Sequence, residues 1–205
     1  SRFGLGGGAY HGETAQPGPA ESAYMGIFRR DTLDEVGGFD ETLRRGEDWE
    51  LNHRLRRAGH VVWLDPQLRV SYWPRSEPGK LARQFRATGI WRGELVRRLG
   101  RENSLRFFAP PLLLVNLVVA AILLPLHLTG VLHGIAGWIT ALVYLGPIAY
   151  LALLLLAAVT TTGSLLDRLR FVAVLVIMHL SWGAGFIVGL LRGARDAVDT
   201  SRTES

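Results

Sequence analysis

The sequence predicts an α/β portion followed by an all-α transmembrane region of about three helices. Residues 107–166 contain no Lys, Arg, Asp or Glu, whereas one helical bilayer crossing needs only about 20 apolar residues. A further apolar stretch, residues 171–191, follows Asp167, Arg168 and Arg170. Upstream, residues 23–78 change character every few positions, with short apolar runs broken by Gly, Pro and Asp. That is the pattern of short strands and helices in alternation.

Each element has its own local reason. Gly6-Gly7-Gly8 and Pro17-Gly18-Pro19 make residues 1–22 irregular. Gly4-Leu5-Gly6-Gly7-Gly8-Ala9 satisfies a dinucleotide fingerprint in letters only, since it follows no strand and opens no apolar helix. Residues 23–28 read as a strand. A helix follows over about 31–36, with Asp31 as N-cap and Gly37-Gly38 as its stop. A second helix carries Glu47 and Asp48 in its first turn, keeps Leu51, Leu55 and Ala58 at helical spacing, and ends at Gly59. Residues 61–64 read as a strand ended by Asp65-Pro66, and 68–72 as another closed by Pro74.

Residues 79–106 form the junction. Leu81, Phe85, Trp91, Leu95 and Leu99 fall near one face of a helix over 79–100, with cations around them. The eight Lys/Arg of residues 80–106 against Glu94 and Glu102 make the segment +6, above the +5 of the whole 205-residue chain. A basic amphipathic helix next to a bilayer span predicts an interfacial helix with Trp91 at the headgroups; the plain alternative is a solvated basic face. Nucleic acid is excluded as the partner because the cluster abuts a span, so membrane lipids take its place.

The spans are predicted at about 107–128, 135–159 and 171–191, the first two split by the turn Thr129–Gly134. Residues 193–205 form a polar tail. The positive-inside rule places the basic junction, Arg168 and Arg170 on the cytoplasmic side. Three crossings would then export a tail bearing Arg192, Arg195 and Arg202; either it is exported or one segment is re-entrant. His179, Ser181, Trp182, Gly183 and Gly185 read as close helix packing, with a buried polar cavity as the alternative.

The chain has no cysteine, which excludes disulfides, thiolate metal sites and cysteine nucleophiles. His53 and His60 lack a third ligand at metal-binding spacing and read as surface residues. The Glu47-Asp48 pair is the main chemical signal. Asp48 lies three residues before Leu51 and so shares the inward side of the helix. The helix dipole and free N–H groups favour its ionised form, and Arg29, Arg30 or Arg54 could offset repulsion between the two acids. Such a carboxylate suits a general base; the alternative is a charge that only stabilises its helix.

The ordered set Arg29-Arg30, Val36-Gly37-Gly38-Phe39-Asp40, Glu47-Asp48 and Arg54-Leu55-x-x-x-Gly59, with Pro74-Arg75, Arg83-Gln84 and Trp91-Arg92 beyond it, resembles family 2 glycosyltransferases. The likeness is to the C-terminal portion of the membrane-bound exopolysaccharide, succinoglycan-biosynthesis-like subgroup. It implies that residues 1–78 are the acceptor-side half of a Rossmann-like GT-A domain, followed by the interfacial helix and the spans. It also implies an inverting transfer from a nucleotide-sugar donor to a lipid-linked saccharide or polysaccharide acceptor, in exopolysaccharide or cell-envelope synthesis, at the inner membrane. Asp48 would be the catalytic base and Glu47 its partner. Arg75, Arg83, Gln84, Arg86, Trp91 and Arg92 would meet acceptor and diphosphate, although the family's Gln-x-x-Arg-Trp spacing is not kept. The family's Asp-x-Asp, which holds Mg2+ or Mn2+ on the diphosphate, does not occur in the chain. The complete enzyme is therefore expected to supply the donor and metal site elsewhere, and this portion alone to be inactive. The reading from another class is a non-catalytic membrane scaffold subunit, or a degenerate remnant, in a polysaccharide assembly complex.

Overall fold

The computed structural model describes residues 16–22, 26–68, 77–100, 103 and 105–194. The elements are β1 (Gly18–Pro19), α1 (Arg30–Glu35), α2 (Glu47–Arg57), β2 (Trp63–Leu64), α3 (Pro78–Leu99), α4 (Ala109–Leu128), α5 (Gly134–Ala141), α6 (Leu145–Thr160) and α7 (Leu165–Arg192). The chain is mostly helical. Among the described residues the β structure is one two-stranded antiparallel sheet, pairing Gly18 with Leu64 and Pro19 with Trp63. The predicted strand at 61–64 shrinks to β2, residues 26–28 are not a strand, and residues 69–72 of the other predicted strand lie outside the described residues.

Glycines end the first two helices as the sequence suggested. Gly38 N–H donates to Leu33 O at 2.9 Å beyond α1, and His60 N–H to Leu55 O at 3.0 Å beyond α2. In both cases the intervening glycine (Gly37, φ 78°; Gly59, φ 90°) takes the left-handed conformation of a Schellman cap. The start of α1 is corrected: Arg29 is its N-cap, and Asp31 sits inside the first turn, accepting from Thr32 N–H at 2.8 Å.

Helix α3 packs along the C-terminal half of α7, and the two run in the same direction. Gly185 lies against the carbonyl of Arg86, and Gly189 against that of Ile90. On the facing side Gly89 meets the backbone of Trp182 and Phe186, and Gly93 that of Phe186 and Leu190. Absent side chains let the two backbones touch, as in tightly packed membrane helices. The same contact closes a core in which Leu43, Trp49, Ile90, Trp91, Leu95, Phe107, Trp182 and Phe186 are buried. Burial of a side chain such as Phe186 or Leu95, each 1% exposed, contributes about 1.5–3 kcal/mol. The buried face of α3 therefore meets α7.

Three helical stretches are long and apolar enough to cross a membrane: Leu105–Leu128, Gly134–Thr160 and Leu165–Arg192. The first includes a 3-10 turn, Leu105–Phe108, before α4; the second is α5 and α6 joined through a 3-10 turn at Leu142–Tyr144. Leu112, Ile122, Ile148 and Leu155 stand exposed on these helices, as side chains facing lipid must. Polar atoms inside are met locally: Asn116 Nδ2 donates to Val143 O at 3.1 Å, His127 Nδ1 meets Tyr144 Oη at 3.0 Å, and His179 Nδ1 meets Tyr150 Oη at 3.2 Å. The third helix starts six residues before the predicted span. Ser164 caps it, its hydroxyl accepting from Asp167 N–H while Asp167 accepts from Ser164 N–H, a capping box that carries the charged first turn into the helix.

Candidate functional site: the Glu-Asp helix and its aromatic neighbours

Gly46 sets the start of α2. It adopts φ 75°, and a Cβ there would stand 3.0 Å from Leu95 Cδ1, so the turn that presents the acids needs glycine for both conformation and space. Glu47 and Asp48 follow, half-buried, while Trp49, Leu51 and Leu55 enter the core. Asp48 Oδ1 accepts from Trp49 N–H at 2.7 Å, and Asp48 O accepts from the buried Asn52 amide at 2.7 Å. Burial raises the Asp48 pKa above the ordinary carboxylate value; the Trp49 N–H pulls it down, Glu47 pushes it up, and Arg92 pulls it down. The expectation that the helix start would hold it ionised is thus corrected in direction, because desolvation outweighs the hydrogen bond.

The three cations expected to neutralise the pair each bind another carboxylate. Arg29 pairs with Asp31, Arg30 with Asp34, and Arg54 with Glu50. A further cation, Arg92, comes from α3. The Arg92 guanidinium lies 4.5 Å from the ring centroid of Trp49 and 4.1 Å from that of Phe107. Desolvation pushes its pKa down to about 10, while Glu21 and Asp48 raise it and Arg106 lowers it. Trp49 also stacks on His53 at 5.4 Å and meets Phe107 edge-on at 6.4 Å. His53 is 7% exposed, which corrects its reading as a surface residue: its i, i+4 spacing from Trp49 carries it inward.

The motifs around the acids form their frame. Arg54 binds Glu50 twice, at 2.7 and 2.8 Å, and also donates to Val36 O and, at 2.7 Å, to Gly38 O. Asp40 accepts from Thr42 Oγ1 at 2.6 Å and from Arg98 of α3 at 3.1 Å, and Arg98 donates to Glu94 at 2.8 Å. The Val-Gly-Gly-Phe-Asp segment is thus tied to α2 at one end and to α3 at the other.

The remaining predicted site residues are spread along α3. Arg83 and Arg86 are exposed and Gln84 half-buried on its N-terminal half. Trp91 is 3% exposed, inside the core with Trp182 and Phe186. That corrects both roles expected for it, stacking on a sugar and anchoring at headgroups, since neither face of the ring is presented. Arg75 lies outside the described residues. Among the described residues no group of three metal-ligating side chains occurs, and an adjacent Glu-Asp pair on one helical turn does not supply the Asp-x-Asp chemistry. The described residues hold no ligand set that fits a diphosphate-bound Mg2+ or Mn2+.

Fold and site together define a helical membrane protein with a half-buried acid pair ahead of its spans. The chain is 30% identical over 185 residues to the succinoglycan biosynthesis protein ExoA of Rhizobium meliloti (strain 1021), a match covering 88% of this chain and 51% of that protein. The chain thus spans about half the length of this curated relative, which fits the reading of it as the C-terminal portion. The similarity bears out the resemblance to the exopolysaccharide subgroup. No family model and no solved structure matches.

Proposed function

We propose that the chain is the acceptor-side portion of a membrane glycosyltransferase, with Asp48 as general base. The observation that carries this is the half-buried Asp48 at the start of α2, its pKa raised by burial, on a chain similar to a succinoglycan biosynthesis protein. A carboxylate tuned upward accepts a proton more readily than an exposed one at neutral pH. In the proposed step Asp48 takes the proton of an acceptor hydroxyl as its oxygen bonds to the anomeric carbon. The bond from that carbon to the nucleoside diphosphate breaks, and the leaving group departs with the electron pair. One displacement inverts the anomeric centre. Glu47 raises the basicity of its neighbour, and Arg75, Arg83, Gln84 and Arg86 are assigned to the acceptor saccharide. The GT-A fold, the nucleotide-sugar donor and any divalent cation belong to the whole protein, and no step is routed through a cation here. Three helices long and apolar enough to cross a membrane follow the acid pair in the chain, which supports the reading of a lipid-linked acceptor at the cytoplasmic face of the inner membrane.

The experiment is transfer of label from radiolabelled UDP-glucose, UDP-galactose and GDP-mannose into the organic-extractable lipids of membranes carrying the natural protein. Label in the lipid fraction that depends on the protein is expected. No dependence with any donor would favour the scaffold reading.

A further inference from the structure

The third apolar stretch differs from the other two in where it ends. Ala194, just beyond α7, is 1% exposed and lies in the same core as Leu43 and Trp49 of the acid-bearing unit. Further back on α7, Gly183 lies against the backbone of Pro110 in the first turn of α4, and Phe186 meets Phe108 edge-on at 5.3 Å. The end of α7 is thus level with the start of α4, on the side of the Glu-Asp helix. Its start is on that side too. Helices α5 and α6 run back along α4: His127 Nε2 lies 3.2 Å from Gly137 O, Asn116 donates to Val143 O at 3.1 Å, and Gly146 touches the Asn116 side chain. From Ala109 to Asn116 helix α4 advances about 10 Å, whereas from Gly146 to Thr160 helix α6 returns about 21 Å. The chain therefore comes back past the start of α4. The turn 161–164 then spans at most about 18 Å, against roughly 30 Å of hydrocarbon, so it cannot cross again.

We infer that α7 is not a third crossing: it lies in the leaflet on the acid-pair side, after two crossings by α4 and α5–α6. A helix with both ends on one face has not traversed the membrane. Each half of α7 suits that place. The C-terminal half is covered by α3, on which the Arg97 and Arg98 side chains are 46% and 33% exposed. Guanidiniums so placed belong among headgroups or water, not in hydrocarbon. The N-terminal half exposes Leu165, Leu166 and Leu169 with Arg168 and Arg170 between and beside them. That is the pattern of a helix lying in the interface, its apolar side chains in the lipid and its cations at anionic headgroups. The charges agree. Arg168, Arg170 and Arg192 join the +6 junction on one face, and Arg195 and Arg202 follow in the sequence, so the tail no longer opposes the positive-inside rule. For the site, the consequence is a fixed height. Trp49, next to Asp48, shares a core with Trp182 and Phe186 of α7, so a helix seated in the lipid surface carries the acid pair at the level of the headgroups.

The test is cysteine accessibility in the natural protein in its own membranes. This chain has no cysteine, so single substitutions report cleanly once any cysteine elsewhere in the protein is replaced by serine. Glu41→Cys marks the side of the acid-bearing unit, and Val131→Cys, in the turn after α4, marks the opposite side; both positions are exposed. Thr162→Cys, between α6 and α7, and Ser201→Cys, in the tail, are the reporters. A membrane-impermeant maleimide is applied to sealed vesicles of each orientation. Both reporters are expected to react in the orientation in which Glu41→Cys reacts, and to be protected where Val131→Cys reacts. Ser201→Cys reacting with Val131→Cys instead would make α7 a third crossing and overturn the inference. So would Thr162→Cys on that side, Val131→Cys on the side of Glu41→Cys, or a reporter silent in both orientations until detergent is added. Where Ser201→Cys fails to accumulate, Thr203→Cys takes its place. The readout is labelling, not sugar transfer, so its outcome is independent of Asp48 being the base.

Discussion

Arg54 donates to the carbonyl oxygen of Gly38 at 2.7 Å while gripping Glu50 on its own helix. One guanidinium thereby joins the Val-Gly-Gly segment to the helix that presents Asp48. Its planar fork serves several acceptors at once, which a lysine cannot do. Arg54→Gln leaves the buried Glu50 carboxylate unpaired and is expected to cost about 3 kcal/mol. Arg54→Lys should cost roughly half as much. Thermal unfolding in detergent, followed by tryptophan fluorescence, gives the order wild type, Lys, Gln.

Gly189 and Gly89 make the contact between α3 and α7 possible. A Cβ at either would overlap backbone atoms, of Ile90 and of Trp182 respectively. Gly189→Ala must separate two helices over their shared length, at a cost of about 1–3 kcal/mol from overpacking. Limited proteolysis of membranes should then cut α3 faster than in wild type, while Leu190→Ala, at a 37% exposed position, changes the rate little.

Asp48 makes opposite predictions for stability and activity. Its folded pKa lies above the unfolded value, so the folded state binds more protons and loses stability as pH rises through that range. Asp48→Asn removes the desolvated charge. The variant should unfold at a higher temperature than wild type at neutral pH, with the gap closing as pH falls and wild-type Asp48 becomes neutral. An equal gap at both ends would contradict the linkage.

Asp40 has the reverse sign. The Thr42 hydroxyl and then its N–H hold the carboxyl below its ordinary range, with Arg98 adding to this. Its contribution is therefore present above the unfolded pKa and lost as pH falls through the lowered folded value. A double-mutant cycle with Asp40→Asn and Arg98→Gln should show a coupling of about 0.5–1 kcal/mol at neutral pH, as both side chains are about one-third exposed. The coupling should vanish in acid.

Local chemistry was legible in the chain. The Gly59 cap, the inward turn of Asp48, the apolar spans and the close-packing role of Gly183 and Gly185 all follow from spacing or residue size. Long-range partners were not legible. Periodicity identified a buried face on α3, but a bilayer and a second helix satisfy such a face equally well. Only the facing glycines of α7, about a hundred positions away, decide for the helix. Trp91 disappears into that contact for the same reason. Arg92 looked like one more cation in a basic run; the signal that could have marked it was its place one turn before the buried Leu95, on the face that reaches Trp49. Arg29 and Arg30 misled because their own i+2 and i+4 carboxylates, Asp31 and Asp34, are closer than any acid on α2.

The central claim is that Asp48 accepts the proton in sugar transfer. The most direct measurement is the transfer rate of Asp48→Asn in the natural protein, normalised to folded protein in the membrane. A fall of about a hundredfold or more, the usual worth of a general base, with stability kept or raised, is predicted. A rate within severalfold of wild type would contradict the account and leave the acid pair as a helix-stabilising charge.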